Sequence, residues 1–343
     1  MKYYAVITDL KQLAGIILAF ALLSTATSAE LDEYHNCVLQ ETEHASENQL
    51  AAEIKKRCKD TNISTTADNT ATDEHSPIRA RMQIEQKNQF KPFTLMAYKP
   101  NFVLAATYNT SGYNSDLYQQ EFNDPSLNFD KSEAQFQISI KTPLIVNLFK
   151  KDIILYAGYT NRSFWQVYNS DISRPFRETN HEPEIWLQSA NNTKIFGFSN
   201  RINMIGVSHQ SNGRGSVLSR SWNRIYANFA FEKQNFIFSM KLWSRFKESP
   251  ATDDNPNITD YMGHGELRAV YTLRNNTFSL MSRNNIESGF DKGATELSWS
   301  FPFGNREDLR GYIQIFTGYG ESLIDYDQSV NRIGVGVSLS DWL

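Results

Sequence analysis

The chain has 343 residues, a formal net charge of -4, and 22 Phe, 16 Tyr and 6 Trp. So small a charge gives no reason to invoke nucleic acid. Past the amino-terminal segment no run of about 18 apolar residues occurs, which excludes helical membrane spans; a β-barrel stays open, because its strands need only about ten residues with every second one apolar, and its interfacial girdles use aromatic residues.

Residues 1–29 read as an export signal. Lys2 and Lys11 flank a polar start, Leu13 to Leu23 form an apolar run too short to span a bilayer as a helix, and the small residues Ser24 to Ala29 offer a cleavage point near Ala29. Residues 30–92 read as a periplasmic extension and linker. Its first half, Glu30 to Lys59, is rich in Glu, Ala, Lys and Gln and favours a short helical piece, whereas Thr61 to Glu74 is polar and low in complexity. The region reads as an extended tail held outside the remaining domain, in preference to a periplasmic plug or a partner-binding arm. Cys37 and Cys58 lie within it, and in an exported chain they read as one disulfide, which requires the segment to fold back on itself. A metal reading would need more ligands than His35 and His44 supply.

From about Phe93 to Leu343 the pattern turns to period two. Phe136, Ile138 and Ile140 alternate with Gln135, Gln137, Ser139 and Lys141, placing an apolar and a polar row on opposite faces of one strand. The alternation recurs at Ile225 to Phe231, Phe236 to Leu242, Leu267 to Leu273, Leu297 to Phe301 and Ile333 to Leu339. Such rows would also serve a soluble sandwich. Charged residues on the polar rows, the export signal and a strand at the carboxyl terminus favour an all-β, antiparallel transmembrane barrel of about 12 strands instead. Side chains such as Glu266, Arg268 and Arg274 are expected to fill its lumen, with short turns at 232–234 and 274–276 and long loops at 109–133 and 248–262.

The segment richest in chemistry runs from Gly206 to Arg224. His209 and Ser211 are two apart, so on a strand they face the same way with Cα atoms roughly 6.6 Å apart. Asn223 shares the parity of Ile225, Ala227 and Phe229 on the next strand. A hairpin would therefore bring a nucleophile, a base and an orienting group onto one outward patch, the arrangement nucleophilic hydrolysis needs. An Asn in the third position stabilises an imidazolium less than a carboxylate would, so the oxyanion requires additional help.

The run His209-Gln-Ser-Asn-Gly-Arg214, followed by Ser219-Arg-Ser-Trp-Asn-Arg224, resembles the active-site motif of the outer membrane phospholipase A family. The segments 169–183, 252–263 and 318–326 are similar to three further signatures of that family, in the same order. The resemblance implies calcium-dependent hydrolysis of acyl esters in phospholipids and lysophospholipids at the bacterial outer membrane. It gives Ser211 as nucleophile, His209 as base, Asn223 as orienting residue and the Gly213 amide as part of the oxyanion hole. It further implies an active homodimer with Ca2+ shared between chains, held by carbonyls of Arg214 and Ser219 and by a partner hydroxyl matching Ser173. Asn161 stands where the best-known members carry a Gln at the dimer interface, and its parity places it on the apolar face, where an amide needs a partner. Ser216 replaces an Asp that some members use, with the residue matching Asp254, in a monomer calcium site, so the acidic loop at Asp253 reads as a solvated rim. A passive porin is the competing reading, yet about twelve strands leave a narrow lumen. An outer-membrane protease would call for clustered acids with a His at the barrel mouth.

Overall fold

In a computed structural model, residues 76–91, 94–172, 174–285, 288–304 and 306–343 are described; the export segment, Cys37, Cys58 and Ser173 lie outside them. Twelve long strands follow one another: β1 Asn101–Asn109, β2 Ser132–Ile145, β3 Ile153–Trp165, β4 Phe176–Ala190, β5 Phe198–Ser211, β6 Ser221–Lys233, β7 Phe236–Arg245, β8 Gly265–Leu273, β9 Asn276–Asn284, β10 Gly293–Phe303, β11 Arg306–Tyr319 and β12 Ser329–Ser340. Each pairs antiparallel with the next, and β12 returns to β1 through pairs such as Val335 with Ala106, so the sheet closes as an all-β barrel. Closure leaves no strand edge among these twelve, which is what hydrocarbon demands of a sheet.

Parity then sorts the side chains. Leu267, Tyr271, Leu280, Leu297, Ile315, Ile333 and Val335 are exposed on the outer face, while Glu266, Arg268, Glu296 and Gln314 turn into the lumen, as the alternation predicts. Arg274, expected among the lumen groups, instead occupies the exposed turn between β8 and β9 with φ of 54°. A two-residue turn needs a left-handed backbone there, and this ends the alternation one residue early.

The lumen is filled. Trp186 stacks between Tyr98 and Tyr156, with ring centroids 4.6 Å and 5.4 Å away. Lys99 pairs with Glu182 at 2.7 Å and Glu184 at 2.6 Å, and Arg224 with Glu182 at 2.7 Å. A cavity of about 170 Å³ remains between these groups, too small and too interrupted by ion pairs to act as an open pore. Short turns gather at one end with the carboxyl terminus; the long connections gather at the other.

A helix that the sequence reading did not find closes the short-turn end. α1, Pro77–Asn88, begins at Ser76, whose hydroxyl accepts from Arg79 N at 3.2 Å. Ser followed by Pro is a helix-start signal that the polar tract before it obscures. Glu232 at the end of β6 bonds Ser76 and accepts from Ile78 N at 3.0 Å, so a carboxylate sits on the positive end of the helix. Glu85 bonds Lys141 of β2 at 2.8 Å, and Arg81 donates to the Trp342 carbonyl at 2.7 Å. This end of the extension is thus docked on the barrel and not held outside it.

At the long-loop end, buried Arg177 of β4 makes two 3.0 Å bonds to Glu133 of β2 and also pairs with Asp325 from the loop after β11. Removing the cation strands two buried carboxylates. Arg177→Met should therefore cost about 3–5 kcal/mol, read as a lower urea midpoint for refolding into micelles; adding Glu133→Gln should recover part of that loss.

Candidate active site

β5 ends with Val207, His209 and Ser211 facing outward and Gly206, Ser208 and Gln210 facing in. Gly206 is required by close packing: a Cβ there would lie 2.6 Å from the Ile185 carbonyl and 2.6 Å from the Trp186 Cβ. β6 starts directly opposite, and the register sets His209 against Asn223 and Ser211 against Ser221. The imidazole Nδ1 and the Asn223 Oδ1 are 2.9 Å apart. An amide oxygen only accepts, so Nδ1 carries the proton and Nε2 presents its lone pair. Ser211 shares the outward row with His209, although among the described residues its hydroxyl is not bonded to the imidazole. Such contacts tighten when substrate binds.

The remaining amide nitrogen of Asn223 donates to Glu248 Oε1 at 3.5 Å. Glu248 belongs to the loop after β7 and carries no signal in the sequence that would tie it to Asn223. Only register could have found it: Phe246 N donates to the Asn223 carbonyl at 2.9 Å and extends β7 alongside the site.

Between β5 and β6 the loop 212–220 is held by one buried side chain. Asn212 Oδ1 accepts from Arg214 N at 3.3 Å and Arg220 N at 3.0 Å, and its Nδ2 donates to the Leu218 carbonyl at 2.8 Å. This role of Asn212 was not read from the sequence. Gly213 has φ of +65°, a left-handed conformation that suits glycine, and a Cβ there would approach the His181 ring at 3.7 Å. Arg214 points back to the carbonyls of Phe176 and Arg177, at 3.0 Å and 2.9 Å.

One row across the outer face reads Ile138, Asn161, His181, Ser211, Ser221 on successive strands. Asn161 therefore lies two strands from Ser211. Its amide has partners in its own chain: Ser163 Oγ donates to its oxygen at 3.0 Å, and its nitrogen is 3.4 Å from His181 Nδ1, which also bonds the Tyr159 hydroxyl at 2.6 Å.

For cation binding, the loop offers carbonyls at Arg214 and Ser219. Ser219 Oγ donates to Asp254 Oδ2 at 2.6 Å, which brings a carboxylate beside them. The Ser219 carbonyl also accepts from Arg220 Nη1 at 2.6 Å, leaving one of its two lone pairs. Among the described residues no cluster of three or more His, Cys, Asp or Glu suits a metal. A cation here would rest on carbonyl and hydroxyl oxygens, a hard donor set that suits calcium. The neighbouring acidic loop is less solvated than its composition suggests: Asp253 pairs with Arg245 at 2.5 Å, and Asn255 is fully buried, accepting from Ser221 N at 3.0 Å.

A family model described as phospholipase A1 matches residues 78–339. The phospholipase A1 of Escherichia coli (strain K12) is 39% identical over 264 residues, 77% of this chain and 86% of that protein. A structure of the Salmonella typhi outer membrane phospholipase dimer with bound calcium is 37% identical, covers 73% of this chain and 94% of that one, and superposes with a TM-score of 0.67. An active-site mutant of the Escherichia coli outer membrane phospholipase A, with Ala in place of an Asn, is 36% identical over 74% of this chain and 95% of that one, with a TM-score of 0.68.

Replacing Asn212 by Ala removes two acceptor contacts and a donor from a buried position. We expect amide hydrogen exchange at Arg214 and Arg220 to quicken by at least about tenfold, each lost buried bond costing about 1–3 kcal/mol, while the amides of β9 and β10 keep their protection.

Proposed function

This chain belongs to the phospholipase A1 family and is an outer-membrane phospholipase, and on that premise we propose that His209, Ser211 and Asn223 form its catalytic triad, with calcium as cofactor and a homodimer as the active state. The observation that carries the triad is the 2.9 Å bond from His209 Nδ1 to Asn223 Oδ1 on the outward row that also holds Ser211. The relative in which an Asn-to-Ala change is an active-site mutation supports the role of the amide.

The chemistry follows from which atoms are free. Asn223 fixes the imidazole with its Nε2 lone pair toward Ser211. The Ser211 hydroxyl attacks the acyl carbonyl carbon of a phospholipid or lysophospholipid as its proton passes to Nε2. The Gly213 amide, presented by the left-handed turn, donates to the developing oxyanion. Collapse of the tetrahedral intermediate breaks the ester C–O bond, and the departing glycerol oxygen takes the proton from His209. Water then attacks the acyl carbon as one of its protons passes to His209, and the second tetrahedral intermediate collapses with the Ser211 Oγ leaving and taking that proton back from His209, which releases the fatty acid. Arg214 and Ser219 carbonyls, with a Ser173 hydroxyl from a second copy, would hold the calcium, whose positive charge would add to the stabilisation of the oxyanion where the neutral Asn223 supports the imidazolium less than a carboxylate.

An outward-facing site meets lipid directly, without a channel through the barrel. Requiring a second copy for the metal site would keep the enzyme silent until two chains meet. Asn161 lies on the same face as Ser211 and would contribute to that contact beside its in-chain bonds. The filled lumen gives a passive porin no path.

In detergent-dispersed phospholipid, the purified protein should release fatty acid with calcium and stop with chelator. Ser211→Ala should lower kcat by at least about a thousandfold while the barrel stays folded; calcium-independent release, or release by that variant, would overturn the assignment. Ser173→Ala should raise the calcium concentration for half-maximal activity by about tenfold or more, and full activity in a verified monomer would exclude the shared site.

A further inference from the structure

The Ser-His-Asn arrangement lacks the negative charge that would stabilise an imidazolium, and the structure places a carboxylate one bond beyond it. We propose that Glu248 is a positioning residue that acts on His209 through the Asn223 amide, so that the working unit is Ser211, His209, Asn223 and Glu248 in series. The inference rests on the triad assignment above and adds to it a group from outside the β5–β6 hairpin.

Geometry carries it. An amide has one accepting and one donating end, and both ends of Asn223 are occupied in the order a relay needs: Oδ1 accepts from the imidazole at 2.9 Å, and Nδ2 donates to Glu248 Oε1 at 3.5 Å. Glu248 fixes which way the amide faces, since a carboxylate accepts and cannot donate. It also draws the amide dipole along the chain: negative charge on the N–H end increases the negative character of Oδ1, so the bonds in series strengthen one another. The benefit is largest when His209 holds the proton from Ser211, because the imidazolium is the stronger donor. The rather long resting contact to Glu248 would then shorten.

Delivery of Glu248 is built into the fold. The Phe246 N to Asn223 carbonyl bond at 2.9 Å carries β7 past Arg245 and beside Asn223, and a turn closed by Thr252 N to the Ser249 carbonyl at 2.9 Å follows directly. Other acidic groups of the loop are engaged elsewhere, Asp253 with Arg245 and Asp254 with Ser219. Glu248 is half-buried against the amide.

The test compares kcat and KM on phospholipid in mixed micelles, with calcium, for the full-length protein, Glu248→Gln, Asn223→Asp and the double variant, at matched folded fractions, with Ser211→Ala as reference. Glu248→Gln should lower kcat about three- to tenfold with KM unchanged. In the Asn223→Asp background the sign should reverse: two adjacent carboxylates repel, one is driven to hold a proton, and Glu248→Gln should raise kcat. Unchanged kcat in Glu248→Gln, or the same fractional loss in both backgrounds, would overturn the relay and leave the triad standing. Hydrolysis surviving in Ser211→Ala would instead remove the triad, and the relay with it.

Discussion

Hydrocarbon offers no water to complete a backbone hydrogen bond, so a strand that enters it must be paired on both sides. The return of β12 to β1 meets this demand, and nearly everything else follows from it. Once the sheet is closed, each residue has an inside or an outside, set by parity alone. His209 and Ser211 fall outside, and the register of one hairpin puts Asn223 opposite His209. Any group on the outer wall near the long-loop rim faces outward by construction. Enzymes that work in water need a cleft to exclude solvent; here the surroundings do so.

Closure also creates an interior that must be filled without water-like freedom. Ion pairs with few spare lone pairs, joined to stacked aromatics, make it stiff. Around the site that stiffness reaches the loops: Glu178 Oε1 accepts from Ile324 N at 3.2 Å, Asn180 Oδ1 accepts from Leu323 N at 3.0 Å, and Asn212 donates to Glu178 Oε2 at 3.4 Å. The four motif segments therefore meet at one end of the barrel, although they lie far apart in the chain. Their residues hold one another in place, and the loop between β5 and β6 inherits its shape from strands it never pairs with.

Period-two rows were enough to read the barrel and its strand number, because alternation is local. The outward placement of His209 and Ser211 was legible for the same reason. Other features depend on register, which a single chain does not display. The row joining Asn161, His181 and Ser211 crosses three strands, and Asn161 finds bonds within its own chain that parity alone could not supply. Glu248 reaches Asn223 only because β7 continues beside it. Arg274 was misplaced because a turn ended the alternation one residue early. α1 was hidden in a tract whose composition reads as linker, since its stability comes from Glu232, Lys141 and the backbone carbonyl of Trp342, none of them nearby in sequence.

That last feature bears on the order of events when the chain is made. α1 lies ahead of every barrel strand, yet its anchors belong to β6, to β2 and to the residue next to the carboxyl terminus. The full set of anchors exists only once the final strand is in place, and each anchor is held in position by its strand neighbours. The earliest described element is thus a latch across the beginning and end of the barrel. Contacts of such long sequence separation form slowly, so seating of α1 would mark a finished barrel, distinguishing it from one whose seam between β1 and β12 is still open.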